Sequence, residues 1–361
     1  MDNSKKLKGI RAKIDGIDDK IVELLNKRAS LVVEAGKVKR EGKREFYAPE
    51  REKEIYQRLT KNNKGQFPNQ ALKNVFREIM SASLSLEKPI KVAFLGPKAT
   101  FTHLACMQHF GMSTDFIPEK DIADVFDAVE RGTADYGVVP IENTTEGVVS
   151  HTLDMFVTSN LYICGEIMLE ISLALLNKTG NIKDVKKVYS HPHAIAECKK
   201  WLNDNLPNTA VFDVSSTAMA AQTVMGDTSA AAIASEQAAA LYDLQVVARK
   251  IEDHLNNFTR FLVIGKKLPG KTGEDKTSIL FSVKDSPGIL FRILKPFAGR
   301  GINLTKIESR PQKKKAWEYI FFLDMEGHVS LPKVKEALKE MEDICSFLKI
   351  LGSYPKMGKG L

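Results

Sequence analysis

The sequence predicts a multidomain chain of unlike folds in series: an all-α helical unit, a two-lobed α/β unit and a small α+β unit. Three observations carry this. At 361 residues the chain is longer than one ordinary core organises. Its apolar residues first recur in steps of three and four, then give way to alternating strand-like and helix-like segments. A stretch at 266–275 bearing Pro269, Gly270 and Gly273 then separates a last series in the order strand, helix, strand, strand, helix, strand.

The composition, 43% hydrophobic and 27% charged, is that of a globular protein. No apolar run approaches the ~20 residues that span a bilayer, and Met1 to Lys6 lack the apolar core of a signal peptide. A cytoplasmic protein with no membrane partner is expected. Cys106, Cys164, Cys198 and Cys345 are scattered without a Cys-x-x-Cys pair, which points to reduced thiols. His191 and His193 alone make a weak metal pair, so neither metal nor cofactor is expected. The net charge is +8, but basic and acidic residues interleave and no nucleic-acid motif occurs. The densest run, Lys313-Lys314-Lys315, reads as a solvated turn. A small anionic ligand accounts for positive charge as well as a polymer does.

Leu7, Ile10, Ile14, Ile17, Ile21 and Leu24, then Leu31, Ala35 and Val38, form one stripe on a helix of about 50 Å. Such a helix needs a partner to be stable. Arg28 falls on the stripe and needs a counter-ion or a route to water. Lys39, about three turns on, projects from nearly the same face, whereas Arg11 is rotated about 100° away and suits a pocket shared with a second subunit. Gly42 and Pro49 start a second helix with Arg51 and Glu52 in its first turns. Pro68 precedes a third, from about Asn69 to Glu87, with Ser83 and Glu87 on one face.

The middle opens on a strand at Ile90–Gly96 and a helix capped at Thr100 or Thr102. A helix at Ile122–Glu130 and a strand at Tyr136–Ile141 lead into the polar loop Pro140 to Gly147. A second series holds a strand ending at Ser190, the loop His191-Pro192-His193, a helix through Trp201 and a strand at Val211–Val214. Ser215-Ser216-Thr217 cap a helix, and an Ala-rich helix is expected after Ser229. The chain returns through Ile251 to Ile264, which makes two lobes and a cleft, like the type II periplasmic binding proteins. Thr259 and Arg260 then sit at the edge of a buried strand, where α/β sheets hold ligands. The last series has strands at Thr277–Val283, Ile302–Ser309, Trp317–Met325 and Phe347–Leu351 and helices at Ile289–Ala298 and Leu331–Met341, a ferredoxin-like order.

The helical segment resembles a chorismate mutase of the intertwined-dimer type. The ordered pieces Phe94-Leu95-Gly96-Pro97, Pro140-Ile141-Glu142-Asn143, Ser190-His191-Pro192, Ser216-Thr217-Ala218 and Asn257-Phe258-Thr259-Arg260-Phe261 resemble prephenate dehydratase. Ser286-Pro287-Gly288-Ile289-Leu290 and Glu308-Ser309-Arg310-Pro311 resemble an ACT domain. The resemblance implies boundaries at 1–88, 90–267 and 275–355. It implies a bifunctional enzyme of phenylalanine biosynthesis that makes prephenate from chorismate and phenylpyruvate from prephenate, working as a homodimer or higher oligomer. A dehydratase with an inactive helical unit, and a ligand-binding protein without turnover, are the alternatives.

Carried across, the resemblance places Arg11, Arg28, Lys39, Arg51, Glu52, Ser83 and Glu87 at the mutase site, with Lys39 and Glu87 catalytic. A glutamate at 87 donates a hydrogen bond only when protonated, so mutase activity is expected to weaken as pH rises. In the cleft the resemblance makes Thr259 catalytic, with Asn143, Thr144, Ser216, Thr217, Arg260 and Phe261 as contacts and Arg260 as a carboxylate clamp. General-acid chemistry would instead nominate a carboxyl such as Glu142. Pro287, Gly288, Ile289, Leu290, Glu308, Ser309, Arg310 and Pro311 are expected to bind L-phenylalanine as a feedback inhibitor. Ala48, Ala99, Thr144 and His193 depart from the residues common in these families.

Overall fold

The structure, a computed structural model, describes residues 2–42, 48–254, 256–311 and 319–357. Lys313–Lys315 and the expected strand start at Trp317 lie outside the described residues. The chain divides into two compact units, Met1–Ile90 with Phe110–Asp115, and Lys91–His109 with Phe116–Leu361. Among the described residues no helix is long and apolar enough to cross a membrane.

In the first unit α1 (Asp2–Glu41) is an unbroken 40-residue helix, followed by α2 (Pro49–Asn62) and α3 (Asn69–Glu87). Pro49 opens α2, where its missing N–H is no loss. The C-terminal part of α1 packs on α3, and Gly36 permits the approach: a Cβ there would stand 3.1 Å from Glu87 Cγ. The expected stripe lies open, with Ile17 56% and Leu24 63% exposed.

The second unit starts with β1 (Lys91–Leu95), α4 (Phe101–Phe110) and β2 (Asp115–Glu119). Next come α5 (Ile122–Arg131), whose first turn is capped by the Asp121 side chain, and β3 (Tyr136–Asn143). The short β4 (Gly147–Val148), α6 (Ser150–Thr158) and β5 (Tyr162–Glu170) complete this run. The chain then builds a second lobe from β6 (Ala174–Asn177), β7 (Lys187–Ser190), α7 (Pro192–Glu197) and α8 (Lys199–Asn205). To these it adds β8 (Ala210–Asp213), α9 (Thr217–Thr223), β9 (Ala230–Ala234), α10 (Glu236–Leu241) and β10 (Gln245–Arg249). It re-enters the first lobe as β11 (Phe258–Gly265), which lies antiparallel between β3 and β5 in the order β2-β1-β3-β11-β5. The second lobe has the order β10-β6-β9-β7-β8.

One expectation holds only in part. The alanine run directly after Ser229 is the strand β9, and the alanine-rich helix starts only at Glu236, as α10. The five residues of β9 are all buried between β6 and β7, so they have no polar face to give water. The helix preference of alanine is weaker than the demand for a small, wholly apolar central strand.

The last part is a four-stranded sheet formed by β12 (Asp275–Val283), β13 (Leu304–Pro311), β14 (Tyr319–Glu326) and β15 (Phe347–Pro355), in the order β13-β14-β12-β15. The helices α11 (Ile289–Gly299) and α12 (Pro332–Glu342) share its core through Ile293, Phe297, Val334 and Leu338. Leu280, Phe322, Leu351 and Tyr354 leave that core and join the one formed by α5, α6 and the first lobe. This small sheet thereby shares an apolar core with the sheet that holds β11.

Candidate functional site

Side chains alternate along β11, and that alternation sorts the expected site residues. Thr259 and Phe261 line a cavity of 630 Å³ between the two lobes; Arg260 does not. The first lobe contributes Leu95 to Pro97, Thr100 to Thr102, Lys120 and Asn143, and the second contributes His191, His193, Glu197 and Ser215 to Thr217. The N-terminus of α4 opens into this space, with backbone N–H groups suited to a carboxylate.

Asn143 stands directly across the ladder from Thr259. Its Nδ2 donates to Thr259 Oγ1 at 2.9 Å and to Asn257 Oδ1 at 2.8 Å. Because Thr259 Oγ1 accepts that bond, its own proton is available to the cavity. Asn257 Nδ2 in turn donates to Glu197 Oε1 at 2.7 Å, and Thr145 Oγ1 donates to the same oxygen at 2.9 Å. Asn256, at φ +73°, makes the left-handed turn ahead of β11 that an asparagine tolerates. Burial pushes the Glu197 pKa up, with Glu146 adding to it, against the hydrogen bonds from Thr145 and Asn257. Glu197, Asn257, Glu146 and Lys120 were not among the expected site residues.

Ser216 and Thr217 do reach the cavity, with Ser216 Oγ capping α9 by accepting from Met219 N at 3.0 Å. Thr144 does not: its hydroxyl accepts from Phe258 N at 2.9 Å and donates to Asn256 O, bracing the entry to β11. Ala99 carries a φ of +66°, a left-handed backbone that glycine adopts more readily. His193 Nδ1 contacts Glu146 Oε1, and His191 caps α7. Among the described residues no group of three His, Cys, Asp or Glu could hold a metal ion.

Arg260 and Glu142 were expected in the cleft, and both lie elsewhere. Arg260 is buried on the opposite face, with Nη2 2.8 Å from Glu166 Oε2, Nη1 2.7 Å from Asp324 Oδ2 and a bond to Tyr354 Oη at 3.1 Å. Lys276 Nζ adds a second cation 2.7 Å from Glu166, so two positive and two negative charges balance. Burial works to raise the Glu166 pKa, but Arg260 and Lys276 overcome it and hold the carboxyl below its usual value. Glu142, across from Arg260 in the ladder, is paired with Lys306 at 2.7 Å.

In the helical unit Arg28 donates to Ser83 Oγ, and Lys39 Nζ lies 2.7 Å from Glu87 Oε2. The structure therefore brings these four together between α1 and α3. Burial lowers the Arg28 pKa while Glu87 raises it. Glu52 is half-buried on α2, where burial pushes its carboxyl up to about 8. Arg51 turns outward to Glu54 at 2.7 Å, and Arg11 is exposed on α1.

Family models match three stretches of the chain. Residues 10–88 match chorismate mutase type II, residues 92–269 match prephenate dehydratase, and residues 277–343 match the ACT domain. The bifunctional chorismate mutase/prephenate dehydratase of Aquifex aeolicus is 53% identical over 97% of this chain and 98% of its own length. The chain belongs to the bifunctional chorismate mutase/prephenate dehydratases. Its relative from Pseudomonas aeruginosa, of the same name, is 43% identical over 99% of both chains. Among solved structures, a prephenate dehydratase from Arthrobacter aurescens in complex with L-Phe matches 74% of this chain and 90% of its own, with 36% identity and a TM-score of 0.69.

In the ACT part of this family member, Pro287, Gly288 and Leu290 are exposed and Ile289 half-buried at the start of α11. Ser309 and Pro311 are exposed on the edge strand β13. Glu308 and Arg310 face the other way, onto a cavity of 190 Å³ beside α6 that Pro311 also borders, and there Arg310 pairs with Asp154 at 2.8 Å and donates to Ser150 O. The tetrapeptide Glu308 to Pro311 is thus divided between two surfaces.

Proposed function

We propose that residues 1–88 carry the chorismate mutase activity of this bifunctional enzyme, residues 90–267 the prephenate dehydratase activity, and residues 275–355 a sensor that binds L-phenylalanine. The observation that carries the dehydratase assignment is the Thr259–Asn143–Asn257 chain of hydrogen bonds in the 630 Å³ cavity. Thr259 donates its hydroxyl proton as a hydrogen bond to the leaving oxygen of prephenate. Loss of the ring carboxylate as carbon dioxide aromatises the ring as that oxygen departs. With Arg260 turned away, the N-terminus of α4, Lys120 and the hydroxyls of Ser216 and Thr217 receive the carboxylates.

For the mutase, Arg28 and the Arg11 of a second copy hold the two carboxylates of chorismate. Lys39 and, in its protonated form, Glu87 donate to the ether oxygen, where negative charge grows during an intramolecular rearrangement that needs no nucleophile. Glu52 and Ser83 line the same pocket, and Arg51 joins them on binding. The open stripe of α1 supports a homodimer, since it leaves Arg11 to serve a neighbouring copy. L-phenylalanine binds where Pro287 to Leu290 and the exposed Ser309 and Pro311 of paired sensors meet. The four free cysteines fit a cytoplasmic site of action.

The test supplies chorismate, then prephenate alone, and quantifies prephenate and phenylpyruvate. Both conversions are expected. Thr259→Ala should lower dehydratase kcat about 10²-fold, as loss of one transition-state donor does, and Thr259→Ser should restore most of it without changing the mutase rate. Full turnover by both variants removes Thr259 from the mechanism.

A further inference from the structure

We propose that Glu197 supplies the proton that departs with the hydroxyl of prephenate, as the general acid of the cleft. The proposal rests on the dehydratase reading above. In that reaction the electron pair of the bond to the ring carboxylate enters the ring, carbon dioxide is released, and the bond from the ring to the hydroxyl oxygen breaks. The oxygen leaves as water only if it gains one proton. A threonine hydroxyl can donate a hydrogen bond to it but is too weak an acid to give the proton up. A neutral carboxyl can do so: its O–H bond breaks, the carboxylate remains, and solvent returns the proton before the next turnover.

Glu197 lines the cavity at the end of α7 and is tied to Thr259 through Asn257 and Asn143. The Asn257 amide donates to Oε1, and the single Thr145 hydroxyl proton is shared between that oxygen and Asn143 Oδ1. Oε1 is then the carbonyl-like oxygen, and Oε2 carries the proton. Among the other carboxyls, Glu146 is engaged with His193 and Glu142 with Lys306, while Glu119, which also lines the cavity, is not part of the hydrogen-bond chain to Thr259.

The surroundings favour the neutral form. The loop after β3 brings Glu146, whose charge opposes ionisation, and α7 itself brings His193, whose charge would favour it. From the segment before β11, Asp253 donates its backbone N–H to Glu197 O, while its carboxylate accepts from Lys200 N and Trp201 N. Glu252 on that segment accepts from Ser172 and Leu173 N. The neighbouring thiol of Cys198 is pushed up by burial and by these carboxylates, so it brings no charge. Burial is the largest influence on Glu197 and keeps its pKa above the ordinary value. A general acid must be protonated, so dehydratase turnover should fall as pH rises through this raised pKa.

The experiment measures phenylpyruvate formed from prephenate by the full chain, from acid to alkaline pH, for the parent, Glu197→Gln and Thr145→Val. Glu197→Gln keeps an oxygen to accept from Asn257 but has no acidic proton. Its kcat should fall about 10²-fold or more, with KM close to the parent value and without the alkaline limb. Thr145→Val removes a hydrogen bond that stabilises the carboxylate, so the limb should move to higher pH. A glutamine variant within a few-fold of the parent and retaining the limb would show that Glu197 only positions Asn257, and overturns the proposal. If Glu197→Gln does not fold, the Thr145→Val limb decides: an unmoved limb overturns the assignment. A parent chain that makes no phenylpyruvate at any pH refutes the dehydratase reading itself, a different result from a parent that turns over and a glutamine variant that matches it.

Discussion

Thr259 and Arg260 are joined by one peptide bond, yet they belong to different parts of the machine. Period-two alternation sends the hydroxyl into the cavity and the guanidinium into a buried set of charges with Glu166, Asp324 and Lys276. Removing one member of such a set leaves a charge unpaired out of water. Arg260→Leu should therefore destabilise the fold by about 3–5 kcal/mol, measured by denaturant unfolding, while the folded fraction keeps the parent KM for prephenate. A large rise in KM at unchanged stability would return Arg260 to the cleft. The pH sign follows from Glu166. Its pKa is depressed in the fold, so its contribution is present at neutral pH and is lost as pH falls through the depressed value. The motif around Thr259 was legible in the sequence, but reading both neighbours as cleft contacts ignored the alternation that the same strand assignment implied. Glu197 gave no comparable signal. It is one acidic residue in Ala194-Ile195-Ala196-Glu197, and only the return of β11 to the first lobe sets Asn257 against it.

At the scale of elements, long periodic segments were read well and short apolar ones poorly. The stripe on α1 spans many turns, so its period could not be mistaken. The five residues of β9 are too few to show a period, and alanine favours helix when nothing else speaks. What the period of α1 could not reveal is how little of the stripe its own chain covers. Leu7, Ile10, Ile14, Ile17 and Ile21 are each 48–56% exposed. A contiguous row of this kind is stable in water only when covered. For the proposed dimer, Ile17→Lys should give a monomer in sedimentation and lower mutase turnover more than tenfold, because the proposed donation of Arg11 to a second copy would be lost. The cleft lies in the other compact unit, so dehydratase turnover should stay within a few-fold. An unchanged sedimentation profile would place the dimer contact elsewhere.

At the scale of the molecule, the sensor and the dehydratase share apolar core and charge. Tyr354 stands at the junction: it is fully buried, accepts from Arg260 Nη2 at 3.1 Å and lies 2.7 Å from Ser278 Oγ. A ligand can act on Thr259 only by binding two arrangements of the sensor unequally, and a junction of this kind is where the difference can pass. Tyr354→Phe removes the shared hydroxyl and retains the ring. It should weaken inhibition by L-phenylalanine about tenfold, read from dehydratase rates against inhibitor concentration, and leave the uninhibited rate near that of the parent. Inhibition of undiminished strength would mean that coupling bypasses Tyr354.

The two-sidedness of β11 also makes function a matter of parity. With the buried run 261–265 held in register, one residue inserted between Arg260 and Phe261 would turn the threonine toward Glu166 and the arginine toward the cavity, whereas two would restore both directions. Residues 267–273, outside β11 and β12, are under no such rule. The chain can change length by any number there, but beside Thr259 only by an even one.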